Sequence, residues 1–153
     1  MADRILFLKN TMMSMTTMIR TYSDLLKLKT FEDRFKYLKL SGNVGISTFG
    51  YDRYLNQQLY KSSLWKKVRD KVIIRDDGLD LACTEKPIFG RIIIHHMNPI
   101  TKDDILYRPD YVLNPEYLIS VSEQTHKAIH YGDFSLINST FIERKPNDTI
   151  PWR

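Results

Sequence analysis

An α+β fold is predicted, with helices filling the first half of the chain and a strand, loop, strand and helix following them. Three observations carry this. Apolar residues recur at helical spacing from Ile19 to Ile73, a β-branched run occupies Ile92 to Ile94, and Tyr117 to Val121 alternates as a strand does, just before a capped stretch that stops at Gly132. At 153 residues, with 42% hydrophobic and 27% charged side chains, the chain has the length of one domain and an ordinary globular composition, which argues against disorder. The longest apolar runs, such as Ile92-Ile93-Ile94, are too short to cross a bilayer, and no sustained apolar h-region with a small-residue cleavage site accompanies Arg4 and Lys9. Cys83 stands alone, so no internal disulfide forms. The expectation is a cytoplasmic protein with no membrane partner.

Taken in order, residues 1–17 contain Met12, Met13 and Met15 without periodicity or a capping signal, and are read as a loose extension; Met18 is a second candidate start. Organised spacing begins with Ile19, Tyr22, Leu25 and Leu26, with Ser23 as the expected N-cap. Thr30-Phe31-Glu32-Asp33 reads as a cap with acids in the first turn, opening a helix whose Phe31, Phe35 and Leu38 form a core stripe. Gly42, Gly45 and Gly50 then mark a connector, so 18–50 is taken as an N-terminal helical segment whose boundary with the next unit, 51–140, lies at 41–50. Tyr54, Leu55, Leu59, Leu64, Trp65, Val68, Val72 and Ile73 fit one or two amphipathic helices, which an Asp76-Asp77-Gly78 turn closes. Ile88 and Phe89 lead through Gly90 into a strand that delivers His95 and His96 at its end. Pro99 interrupts that ladder, and Asp103, Asp104, Arg108 and Asp110 are read as a polar loop. Tyr117–Val121 is the second strand, and Ser122 caps a short helix carrying Glu123, His126, Lys127 and His130. Residues 141–153 are read as an extended tail, with Trp152 as its one candidate to pack back.

All four histidines lie between residues 95 and 130. Imidazole binds transition metals and exchanges protons near neutral pH, and His126 and His130, at i and i+4, share a helix face with Cβ atoms about 6 Å apart. Neighbouring strand residues point to opposite faces, so His95 and His96 are not expected to ligate one ion together. Three imidazoles plus a solvent position make a half-open divalent site of the kind catalysis uses, and the fourth ring is left for proton transfer. The net charge of +5 suits a polyanionic partner. Lys66, Lys67, Arg69, Lys71 and Arg75 crowd together with only Asp70 among them, which reads either as a solvated helix face or as a phosphate-contacting one. Arg91 is likewise a phosphate contact or a surface ion-pair partner. Asp103, Asp104 and Glu123 are further candidate ligands, with solvated acids as the plainer reading.

The strings Ile94-His95-His96-Met97-Asn98-Pro99-Ile100, Asn114-Pro115-Glu116-Tyr117-Leu118-Ile119-Ser120-Val121 and Thr125-His126-Lys127-Ala128-Ile129-His130 resemble the HNH endonuclease motif. They are most similar to phage-encoded members and to nuclease colicins, which share the paired histidine and the H-x-x-x-H helix. The resemblance covers about residues 88–132, and Ser63-Leu64-Trp65-Lys66-Lys67-Val68-Arg69 resembles the helix that precedes such cores. It implies a ββα-metal finger with additional N-terminal helices. It also implies that His95, His126 and His130 hold one divalent cation (Mg, Mn, Zn or Ni) and that His96 is the general base. The activity implied is metal-dependent hydrolysis of DNA phosphodiesters in phage genome processing, in the host cytoplasm and beside a packaging terminase, with Lys66, Lys67, Arg69, Arg75 and Arg91 on the DNA.

Two positions depart from the family pattern. Tyr117 stands nine residues before the first helix histidine, where the family's Asn usually braces the loop behind the base; Asn114, three residues earlier, is the candidate replacement. Around Cys83 there is one thiol and no C-x-x-C pair, so no structural zinc knuckle is expected and Cys83 is read as a small core residue. The Tyr117 departure keeps open a second reading, a metal-stabilised DNA-binding or packaging adaptor that does not cut.

Overall fold

A computed structural model describes residues 18–40, 53–83 and 86–138; the extension at 1–17, the glycine connector at 41–50 and the tail with Trp152 lie outside them. The class is α+β, as expected from the patterning. Helix α1 (Tyr22–Leu25) is capped by Thr21, not Ser23: Thr21 is extended and its hydroxyl accepts from the Asp24 N–H at 3.1 Å. Ser23 lies inside the turn and its N–H donates to Glu116, at 2.8 Å. Thr30 caps α2 (Phe31–Leu38) as its sequence predicts, by accepting from Asp33 N–H. Leu25, Phe35 and Leu38 are buried, and Phe31 and Phe35 pack on Phe134 with ring centroids 4.8 and 5.4 Å away.

Ser62 breaks the next stretch into α3 (Arg53–Lys61) and α4 (Ser63–Arg75), since its hydroxyl accepts from Trp65 N–H at 3.1 Å and starts a new helix. On α4, Trp65 and Val72 are buried while Lys66, Lys67 and Lys71 face outward. Asp77 and Gly78, with φ of 55° and 66°, make the turn that ends it. Beyond the turn, β1 (Leu79–Asp80) pairs antiparallel with β2 (Lys86–Pro87) around a 3-10 turn, Leu81–Cys83. Two-residue strands leave no alternation to read. Pro87 is tolerated because it sits at the edge of that pair.

Strand β3 (Ile93–His96) pairs antiparallel with β4 (Leu118–Val121), placing His95 opposite Ile119 and His96 opposite Leu118. The strand thus begins at Ile93, within the expected β-branched run Ile92–Ile94, and Phe89, ahead of it, is almost fully exposed. The connection read as a polar loop is helical, with α5 (Lys102–Tyr107), α6 (Pro109–Val112) and a 3-10 turn, Pro115–Tyr117. A capping box starts it: Thr101 accepts from Asp104 N–H, and the Asp104 carboxylate accepts from Thr101 N–H. Asp104 also holds Arg108 at 3.0 Å, so its oxygens are engaged structurally and not as ligands. Ser122 and Gly132 bound α7 (Glu123–Tyr131) as expected, Gly132 at φ 66° with the Asp133 N–H donating to the Ala128 carbonyl. A short α8 (Ser135–Asn138) follows.

The β3–β4 pair is covered on both faces. On one lie Ile93, Ile119 and Val121, packed with Leu25, Phe35, Leu38 and Leu40 and with Ala128 and Ile129 of α7. On the other, Ile94 and Leu118 pack against Trp65, Val68 and Val72 of α4. Burying each such aliphatic side chain is worth about 1.5–3 kcal/mol. The N-terminal helices therefore share a core with β4 and α7; they do not form a core of their own. Among the described residues no helix is long and apolar enough to cross a membrane.

Candidate metal centre

Strand parity decides which histidine faces α7. His95 shares the face of Ile93, and its ring lies 5.3 Å from that of His126 and 5.2 Å from that of His130, nearly perpendicular to both. One helical turn brings the other two together, with their Nε2 atoms 3.1 Å apart. One potential ligand atom from each of the three rings falls within 4.8 Å of the others.

The donor set fits a transition-metal cation on two counts. Two imidazole nitrogens at about 2.0–2.1 Å from one tetrahedral ion would stand about 3.3 Å apart, close to the separation of the helix pair. Without an ion, the same contact closes as one ring's N–H donating to the other's lone pair. In contrast, Nε2 of His95 is buried with no hydrogen-bond partner. An orphaned buried nitrogen costs about 1–3 kcal/mol, and a cation in the triad would satisfy it.

Burial also favours the ligating protonation state. Desolvation, followed by the neighbouring His126 and His130, holds His95 well below the usual imidazole range. Desolvation and then the charge of His130 pull His126 down to about 4, and burial lowers His130. Neutral rings at pH 7 are what metal coordination requires.

His96 points the other way. Its ring stacks on Trp65, with centroids 5.4 Å apart and planes within 15°, and its Nε2 lies 3.0 Å from the Val112 carbonyl. A carbonyl only accepts, so Nε2 carries the proton and Nδ1 keeps the lone pair. Desolvation pulls this ring to about 4, partly opposed by the Val112 bond. Because the triad and His96 occupy opposite faces of the strand pair, they can share a substrate only around its end, where β3 terminates.

The loop behind His96 is braced from several points. Asn114 caps the 3-10 turn, its Oδ1 accepting from Glu116 N–H at 3.0 Å. Tyr117 contributes through its backbone: its carbonyl accepts from Met97 N–H at 3.0 Å. Asn98 was not singled out by the sequence, yet its buried amide accepts from the Arg20 N–H at 2.7 Å and donates to the Arg20 carbonyl at 2.8 Å. Its partner lies far away in sequence, and an Asn beside Pro99 reads locally as a turn residue. Trp65 reads as core from the helix stripe, and only the packing reveals its stack on His96.

Of the basic residues, Lys66, Lys67 and Arg91 are exposed, and Arg69 is partly engaged with Asp70 at 3.6 Å. Arg75 donates to Asp76, to the Pro115 carbonyl and to the Leu118 carbonyl, each at 2.7 Å, and lies 3.6 Å over the Tyr22 ring. Those internal partners give it a structural role as a clamp, which the sequence did not reveal. Glu123 pairs with Lys127 at 2.7 Å on the surface. Cys83 is buried beside Thr125, its thiol pushed up to about 11 by burial, which suits a core residue.

No family model, no curated protein and no solved structure matches this chain.

Proposed function

We propose that this chain is a divalent-metal-dependent endonuclease of the HNH type, hydrolysing DNA phosphodiesters with His96 as general base. One observation carries the reading: the ring of His95, whose buried Nε2 has no partner, packs against two imidazoles set one helical turn apart, with one potential ligand atom from each of the three within 4.8 Å of the others, and the next residue is a fourth histidine of defined tautomer. The β3, β4 and α7 arrangement supports the ββα-metal assignment. His95, His126 and His130 would hold the ion, which when bound supplies positive charge to the phosphate and to the leaving 3′ oxygen.

The chain's own groups do the rest. Nδ1 of His96 takes the proton of the attacking water as its oxygen bonds to phosphorus and the P–O3′ bond breaks, and the departing 3′ oxygen takes a proton from solvent. Trp65 and the Val112 carbonyl keep the ring plane and tautomer from wandering. With its pKa lowered to about 4 by burial, His96 is neutral at pH 7 but a modest acceptor, so its placement matters more than its basicity. Lys66, Lys67 and Arg91 bind the DNA backbone electrostatically.

A plasmid-nicking assay tests this, run in EDTA and then with Mg, Mn, Ni or Zn restored. Cation-dependent nicking that His96→Ala abolishes, with metal binding retained, is the expected result. DNA held but never cut under any of these cations would replace the nuclease by a metal-stabilised DNA-binding adaptor.

A further inference from the structure

A cleft of about 430 Å³ opens on the connection between β3 and β4, lined by Tyr107, Arg108, Asp110, Tyr111, Asn114 and Tyr117. Tyr111 and Tyr117 stand with ring centroids 5.0 Å apart, the Arg108 guanidinium lies 4.5 Å over the Tyr111 ring, and Tyr107 is 76% exposed at the rim. Arg108 uses one donor on Asp104 at 3.0 Å, leaving the others of its planar fork. It is an open depression and not an enclosed pocket, so a ligand would lie on it with one side in solvent.

We propose that this cleft is a subsite for an unpaired nucleobase of the DNA strand being cut, a role that rests on the nuclease reading. Aromatic faces accept any base by stacking, an arginine beside them adds a cation for the ring and its phosphate, and Asp110 and Asn114 offer polar partners to the base edge. A paired base is sandwiched in its duplex and cannot reach such rings, so the ligand is a base in a single-stranded segment, a flap or a frayed end.

The cleft is also wired to the proposed base. Tyr111 precedes Val112, whose carbonyl holds His96, and the Tyr117 carbonyl holds Met97, the residue after His96. A base stacked on these two rings therefore stiffens both anchors of the strand end that carries His96. The substrate class that follows is DNA with unpaired bases beside the scissile phosphate.

The test uses the full chain in EDTA, so that nothing is cut. Binding is measured to a single-stranded oligodeoxynucleotide carrying one 2-aminopurine and to a blunt duplex of the same sequence. The parent should quench the 2-aminopurine, and Tyr111→Leu should weaken single-strand binding by about 10-fold or more while duplex affinity stays within about twofold. Tyr111→Phe should restore the quench. Tyr107→Ala, at an exposed position that leaves packing alone, should give a smaller loss of the same selectivity. Equal losses on both DNAs, or unchanged single-strand binding in Tyr111→Leu and Tyr107→Ala, would overturn the subsite. Because no cleavage is read, a chain that binds this way but never nicks in any cation would sink the nuclease reading alone.

Discussion

Replacing Arg75 by methionine separates a structural cation from a DNA-binding one. The guanidinium makes three hydrogen bonds of 2.7 Å, to Asp76, Pro115 and Leu118, and tethers the end of α4 to the start of β4. The Asp76 side chain is fully buried, and its other oxygen accepts from Ser120 N–H at 2.7 Å. Removing the cation leaves that carboxylate in a low-dielectric site with its charge uncompensated, a loss of about 3–5 kcal/mol. The contact over Tyr22 is lost as well, and since it belongs to the same cluster its share is not additive. Against a total stability of about 5–15 kcal/mol, the melting temperature should fall by on the order of 10 °C. Arg75→Lys should recover only part of this, because an ammonium keeps the charge but not the planar fork that reaches two carbonyls. Urea denaturation followed by circular dichroism gives the stability, and fluorescence anisotropy at a temperature where both proteins are folded gives the DNA affinity. A methionine variant as stable as the parent but weaker on DNA would return Arg75 to the phosphate surface and refute its role as a clamp.

Three more outcomes are expected. His126→Ala should lower divalent-cation affinity by about 100-fold or more in calorimetric titration, since it removes one of three imidazoles; unchanged affinity would exclude His126 from the ion. For pH, the folded pKa of His96, about 4, lies below the unfolded value near 6.5. The unfolded chain therefore takes up the proton first, so this contribution is complete above about pH 6.5 and is lost as pH falls towards 4, about 3 kcal/mol in all. Denaturation in EDTA at several pH values should show that fall shrinking in His96→Gln, and parallel curves for the two proteins would contradict the burial argument. Finally, Lys66→Ala combined with Lys67→Ala should leave stability within about 0.5 kcal/mol and reduce the slope of log K against log salt by about 2. An unaltered slope would remove both lysines from the interface.

Much of this molecule was readable along the chain because the governing interactions are short-range. Thr30, Ser122 and Gly132 end their helices through bonds to residues a few positions away. His126 and His130 meet because one helical turn separates them, and His95 and His96 diverge because strand residues alternate. Where local rules misled, a competing local partner was present. Ser23 and Thr21 both resemble caps, and Asp24 selects Thr21 by lying three residues after it. The helices α5 and α6 were hidden by charges typical of loops, although Thr101 and Asp104 carried a legible capping box.

Other features have no local cause. Whether the H-x-x-x-H face meets His95 depends on how α7 docks on the strand pair through Ile119, Val121, Ala128 and Ile129, and the stack of Trp65 on His96 depends on α4 covering the opposite face. Arg75 was indistinguishable from its lysine neighbours in a string of basic residues. Its engagement with Leu118, 43 positions away, appears only once the chain has folded back on itself. Periodicity, caps and parity are dictated by covalent neighbours and so are written in the amino-acid order. Which buried charge finds which carbonyl is dictated by the desolvation of groups remote in the chain, and that is decided where the elements pack.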